Sequence, residues 1–95
     1  MNHTAAIVTG GNRGVGEGIC YALASKGYDI FMAHCGEADK AAHVAQQLRE
    51  KFGVRVVTFD CDQRERTIGE TLMTQALLAF SSISLVMCNA GVGLE

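Results

Sequence analysis

The chain has no basic run and no aromatic platform, and no stretch approaches the ~18 apolar residues of a membrane span. The first two absences, with a net charge of −2, argue against a nucleic-acid surface. The third argues against a spanning helix. Metal-ligand spacings are missing too. The four cysteines (Cys20, Cys35, Cys61 and Cys88) are far apart, with no Cys-x-x-Cys and no nearby His pair. Neither a metal site nor a disulfide framework is expected from that pattern. Cys20 shares a helix with Ile19 and Leu23 and is expected to pack as a small hydrophobe. The three histidines fit no ligand spacing. Met1-Asn2-His3-Thr4 is not the charged start of a signal peptide, so a cytoplasmic protein is expected. Linkers, internal repeats and low-complexity tracts are also lacking.

What remains is one small domain of 95 residues, 48% apolar, enough for a modest core. Short apolar runs alternate with longer helix-like segments. Strands are expected at 5–9, 29–34, 54–59 and 84–88, and helices at 14–26, 37–52 and 65–80. Gly27 and Gly53 stand where C-terminal caps belong. The polar alternates Arg55 and Thr58 suit an edge strand. Repeated β-α units demand parallel strands and right-handed crossovers. The expected fold class is therefore α/β: a βαβαβαβ half of a doubly wound sheet, four parallel strands in order 3-2-1-4 with three crossover helices. The first two helices then cover one face and the third the other.

The informative stretch is Val8-Thr9-Gly10-Gly11-Asn12-Arg13-Gly14-Val15-Gly16. It joins the first strand to the first helix. A helix start presents free backbone N–H groups and a partial positive charge, so a pyrophosphate is stabilised there. Gly10 permits the tight turn off the strand. Gly14 and Gly16 remove Cβ atoms where a phosphate or the neighbouring strand comes close. The expected ligand-binding residues on this turn are Gly10, Asn12, Arg13, Gly14, Val15 and Gly16. A P-loop reading fails. Gly11 and Gly16 have its spacing, but Glu17 and Gly18 stand where Lys and Ser/Thr are required.

A ligand on such a sheet lies across the carboxyl ends of the strands. At the tip of the second strand stand Ala33, His34, Cys35 and Gly36, with no carboxylate before Glu37. A missing acid together with Arg13 suits a 2′-phosphate, because guanidinium matches phosphate geometry. NADP is therefore expected, with NAD the alternative because Glu37 can still reach a ribose. His34 either adds a hydrogen bond to the ligand or is a solvated loop histidine.

Thr9 through Gly16 matches Thr-Gly-x-x-x-Gly-x-Gly, the fingerprint of the short-chain dehydrogenase/reductase family, which the chain resembles over essentially its whole length. Cys88-Asn89-Ala90-Gly91 resembles that family's Asn-Asn-Ala-Gly motif, with Cys88 replacing the first Asn. The resemblance implies a Rossmann-like fold and a nicotinamide dinucleotide partner. It implies that Arg13 occupies the basic position of the NADP-preferring pattern. An Asp after the third strand would bond the adenine amino group. Counting back from Gly91 gives Asp62, with Gln63 beside the ring, and Asp60 is the alternative. Asn89 would tie the central strands, and Ala90 and Gly91 would pass beside the nicotinamide ribose.

The family's catalytic Ser and Tyr-x-x-x-Lys lie beyond the Asn-Ala-Gly motif, and four residues follow Gly91 here. No catalytic residue is assigned. The resemblance implies the N-terminal, cofactor-binding portion of an NADP(H)-dependent oxidoreductase acting on a carbonyl or alcohol. A non-catalytic nucleotide-binding or interaction module is the alternative. A Rossmann-like methyltransferase ranks lower, since its glycine spacing differs. In this short form the fourth strand would be an exposed apolar edge and the second face only partly covered. Self-association through that edge or face is expected.

Overall fold

A computed structural model describes residues 4–10, 14–60 and 68–87. The element order is β1 (Ala5–Thr9), α1 (Gly14–Ser25), β2 (Asp29–His34), α2 (Ala38–Phe52), β3 (Val56–Asp60), α3 (Ile68–Ala79) and β4 (Leu85–Met87). The strands form one four-stranded sheet in the order β3-β2-β1-β4, with every pair parallel. That is the order expected for half of a doubly wound sheet.

The sheet is buried on both faces at its centre, which is why β1 and β2 are continuous apolar runs. Successive side chains go to opposite faces. On one side Val8, Ile30, Met32 and Val56 pack with Cys20 and Ala24 of α1 and Ala41, Val44, Ala45 and Leu48 of α2. On the other side Ala5, Ile7, Phe31 and Ala33 pack with Leu72 and Ala76 of α3 and with Phe80. The Tyr21 and Phe52 rings meet edge-on at 6.0 Å and join α1 to α2. The second face is the thinner one. Beyond its buried stripe, α3 leaves Met73, Leu77 and Leu78 exposed, and Val86 on the β4 edge is exposed as well.

Element ends follow their local chemistry. The C-terminus of α1 closes in a Schellman arrangement: Gly27 N–H donates to Ala24 O and Tyr28 N–H to Leu23 O, with Gly27 at φ +93°. Its last helical residue is therefore Ser25, one before the expected end. Helix α2 begins at Ala38 because Glu37, expected as its first residue, is left-handed at φ +54°. Gly53 ends α2 at φ +72°, its N–H donating to Arg49 O.

Strand β3 starts at Val56 and not at Val54. The Arg55 N–H is spent on the Asp29 carboxylate at 2.9 Å, so it joins no ladder. The strand runs one residue further than expected, to Asp60, which pairs with His34. Asp29 is 1% exposed, and its Oδ2 also faces the Arg55 guanidinium at 3.3 Å. That guanidinium lies 4.9 Å from the Phe80 ring centre. The amino-terminal pole of the sheet is thereby tied to the end of α3. The expected start of α3 at Glu65 and the expected last residue of β4, Cys88, lie outside the described residues. Among the described residues, no helix is long and apolar enough to cross a membrane.

Candidate functional site

Because all four strands are parallel, their carboxyl ends share one edge of the sheet. Thr9, His34, Asp60 and Met87 end there. The turn after β1 begins with Gly10, whose N–H donates to the Ala33 carbonyl at 2.8 Å. Gly10 sits at φ +68°, a left-handed conformation that costs an L-residue about 1–2 kcal/mol. The chain re-enters at Gly14, the first residue of α1, with φ +41°.

From there the glycines divide their duties. Gly16 is buried on the inner side of α1. Gly14 is exposed, and a Cβ built on it meets nothing within 4 Å. Gly14 therefore keeps the outer side of the helix start open. Val15 beside it is 71% exposed. The first N–H groups of α1 have no intrahelical acceptors and carry the positive end of the helix dipole. The donor set, the dipole and the open Gly14 surface fit a pyrophosphate.

The turn after β2 is held by side chains. His34 Nδ1 donates to the Gly36 carbonyl oxygen at 2.8 Å, which places the ring proton on Nδ1. Gly36 N–H donates to Asp60 Oδ1 at 3.1 Å. Gly36 and Glu37 both have positive φ, +74° and +54°. His34 is only 3% exposed, which corrects the solvated-loop expectation. It closes a strand flanked on both sides, by β1 and β3, and its ring is engaged with its own turn. Cys35, next to it, is exposed.

The structure thus brings Gly10, Gly14, Val15, Gly16 and His34 to one edge. Asn12, Arg13, Asp62, Gln63, Asn89, Ala90 and Gly91 lie outside the described residues. The carboxylate on the Gly36 N–H was missed as a feature of the second strand's tip, because Asp60 comes from the neighbouring strand. The sheet order was its only sequence signal.

Cys20 is no nucleophile. Burial pushes its thiol up to about 12, and the Glu17 carboxylate adds to the rise. Among the described residues no group of three or more His, Cys, Asp or Glu is placed to hold a metal.

The parallel sheet in the order β3-β2-β1-β4 is a Rossmann-like α/β architecture, and comparison places it more closely. The short chain dehydrogenase family model matches residues 4–95, and the chain belongs to that family. It is 28% identical over 88 residues to the 3-oxoacyl-[acyl-carrier-protein] reductase of Staphylococcus epidermidis, covering 93% of this chain and 36% of that protein. It is similar to the Brucella melitensis 3-oxoacyl-[acyl-carrier protein] reductase solved in complex with NAD, at 36% identity and a TM-score of 0.81. That match covers 98% of this chain and 35% of the other. It is also similar to L-sorbose reductase from Gluconobacter frateurii, solved with NADPH and L-sorbose, at 27% identity and a TM-score of 0.86. Coverage there is 98% and 35%. The chain thus spans about a third of the length of these relatives.

Proposed function

We propose that this chain forms the dinucleotide-binding part of an NADP(H)-dependent short-chain dehydrogenase/reductase. The observation that carries the proposal is the edge where β1 gives way to α1. There Gly10 and Gly14 are left-handed, and the helix start is open on its outer side. The pyrophosphate lies against the first N–H groups of α1. Arg13 takes the 2′-phosphate of the adenosine ribose. His34 fixes the turn at the tip of β2 through its bond to the Gly36 carbonyl.

Asp60 is already bonded to Gly36, which favours Asp62 as the reader of the adenine amino group, with Gln63 beside the ring. Asn89, Ala90 and Gly91 follow β4 and line the nicotinamide ribose. When bound, the nicotinamide ring exchanges a hydride with a carbonyl or alcohol carbon. None of the residues named here is given a proton-transfer role. They bind and orient the dinucleotide.

Titration with NADPH and with NADH, followed by nicotinamide fluorescence, tests the proposal. Saturable binding of both is expected, with NADPH the tighter. Arg13→Glu removes a charge-assisted pair and is expected to weaken NADPH by about 10–100-fold, and NADH far less. Failure of either nucleotide to bind the folded chain refutes the proposal.

A further inference from the structure

We infer that Asp60 sets the chain's selectivity between phosphorylated and unphosphorylated dinucleotides by placing a fixed negative charge at the tip of β2. The inference rests on the dinucleotide site proposed above. Register carries the argument first. The last rung of the β2–β3 pairing is His34 opposite Asp60, so the Asp60 side chain starts level with the turn that follows β2. Its Oδ1 then accepts the Gly36 N–H at 3.1 Å, while His34 Nδ1 donates to the carbonyl of the same residue at 2.8 Å. Gly36 is held at both of its polar backbone groups, one from its own strand and one from the next.

Two consequences follow. The Gly36 N–H points at a carboxylate and does not serve an incoming anion. A donor at the end of β2 that would suit a phosphate oxygen is occupied from within. Asp60 is also exposed, so its charge reaches the space above the strand tips. In open α/β sheets that crevice holds the ligand, and the tip of β2 is where the adenosine ribose lies. A 2′-hydroxyl tolerates or even bonds a nearby carboxylate. A 2′-phosphate, with close to two negative charges, is repelled by it. Arg13 therefore draws the phosphate in while Asp60 opposes it, and the balance sets a narrow preference. Asp60 is a positioning residue for the turn and a specificity residue for the nucleotide. It touches no reacting atom.

Asp60→Asn separates the two roles. The amide oxygen keeps the bond to the Gly36 N–H and the charge is removed. NADPH affinity is expected to rise on the order of tenfold, with NADH affinity within about twofold of the parent. The thermal melt should stay unchanged, which a purely structural role for the charge does not explain. The gain should shrink as salt is raised, because the exposed charge is screened. Asp60→Ala also loses the turn's anchor, and its melt should fall.

An Asp60→Asn variant that leaves the NADPH:NADH ratio unmoved, or lowers it, overturns the inference and leaves the site intact. A gain that persists undiminished at high salt overturns it too. Binding of neither nucleotide to the parent chain removes the site itself, and the inference with it.

Discussion

Asp29→Ala is expected to cost about 2–3 kcal/mol of folding stability. The carboxylate is 1% exposed and accepts the Arg55 N–H at 2.9 Å. Removing it strands that backbone donor, which costs about 1–3 kcal/mol. The guanidinium contribution is smaller. The Arg55 side chain is 69% exposed and its contacts to Oδ2 are 3.3 Å long, so this pair adds at most about 1 kcal/mol.

A domain of this size is stable by roughly 5–14 kcal/mol, so the loss is a large share. At about 4–8 °C per kcal/mol, the Tm should fall by roughly 10–20 °C. Calorimetry or circular dichroism reads it. Asp29→Asn keeps an acceptor for the Arg55 N–H and should lose about half as much. A fall of under about 0.5 kcal/mol for Asp29→Ala, or equal losses in both variants, would refute the assignment of the cost to the stranded donor.

Two further sets of measurements follow from the same structure. Gly53→Ala should cost about 1 kcal/mol, because φ is +72° and the added Cβ meets nothing within 4 Å, so backbone strain alone acts. Gly18→Ala, inside α1 and equally free of contacts, should gain about 0.5–1 kcal/mol, and chemical denaturation of both variants reads the opposite signs. Thiol labelling at pH 8 should modify Cys35, which is exposed, and spare Cys20 until the chain unfolds. The Cys20 thiol titrates higher folded, about 12, than its ordinary 9.0, so its contribution is full below pH 9 and is lost as pH rises through 12. Melts across that range should decline less steeply in Cys20→Ala.

Local signals made much of this fold legible. Strands β1 and β2 run over the residues expected, because buried parallel strands are unbroken apolar runs. The caps at Gly27 and Gly53 were equally local. Contacts distant in sequence were not legible. The delayed start of β3 depends on Asp29, 26 residues earlier. The anchor at Gly36 depends on Asp60, 24 residues later. His-Cys-Gly at positions 34–36 has a loop's composition, yet His34 is buried because β2 lies between β1 and β3. The order 3-2-1-4 already implied that flanking, and the local composition outweighed it. At the candidate site, Gly10 and Gly14 were readable because positive backbone angles favour glycine there.

The central claim is that the start of α1 holds a dinucleotide pyrophosphate. Amide chemical shifts of the isotope-labelled chain, recorded during titration with NADPH, NADH and adenosine, test it most directly. The account predicts that both dinucleotides shift the Gly14, Val15, Gly16 and Glu17 amides saturably, and that adenosine, lacking the pyrophosphate, leaves them in place. Dinucleotide-induced shifts confined to other regions, or none at saturating concentration, would contradict it.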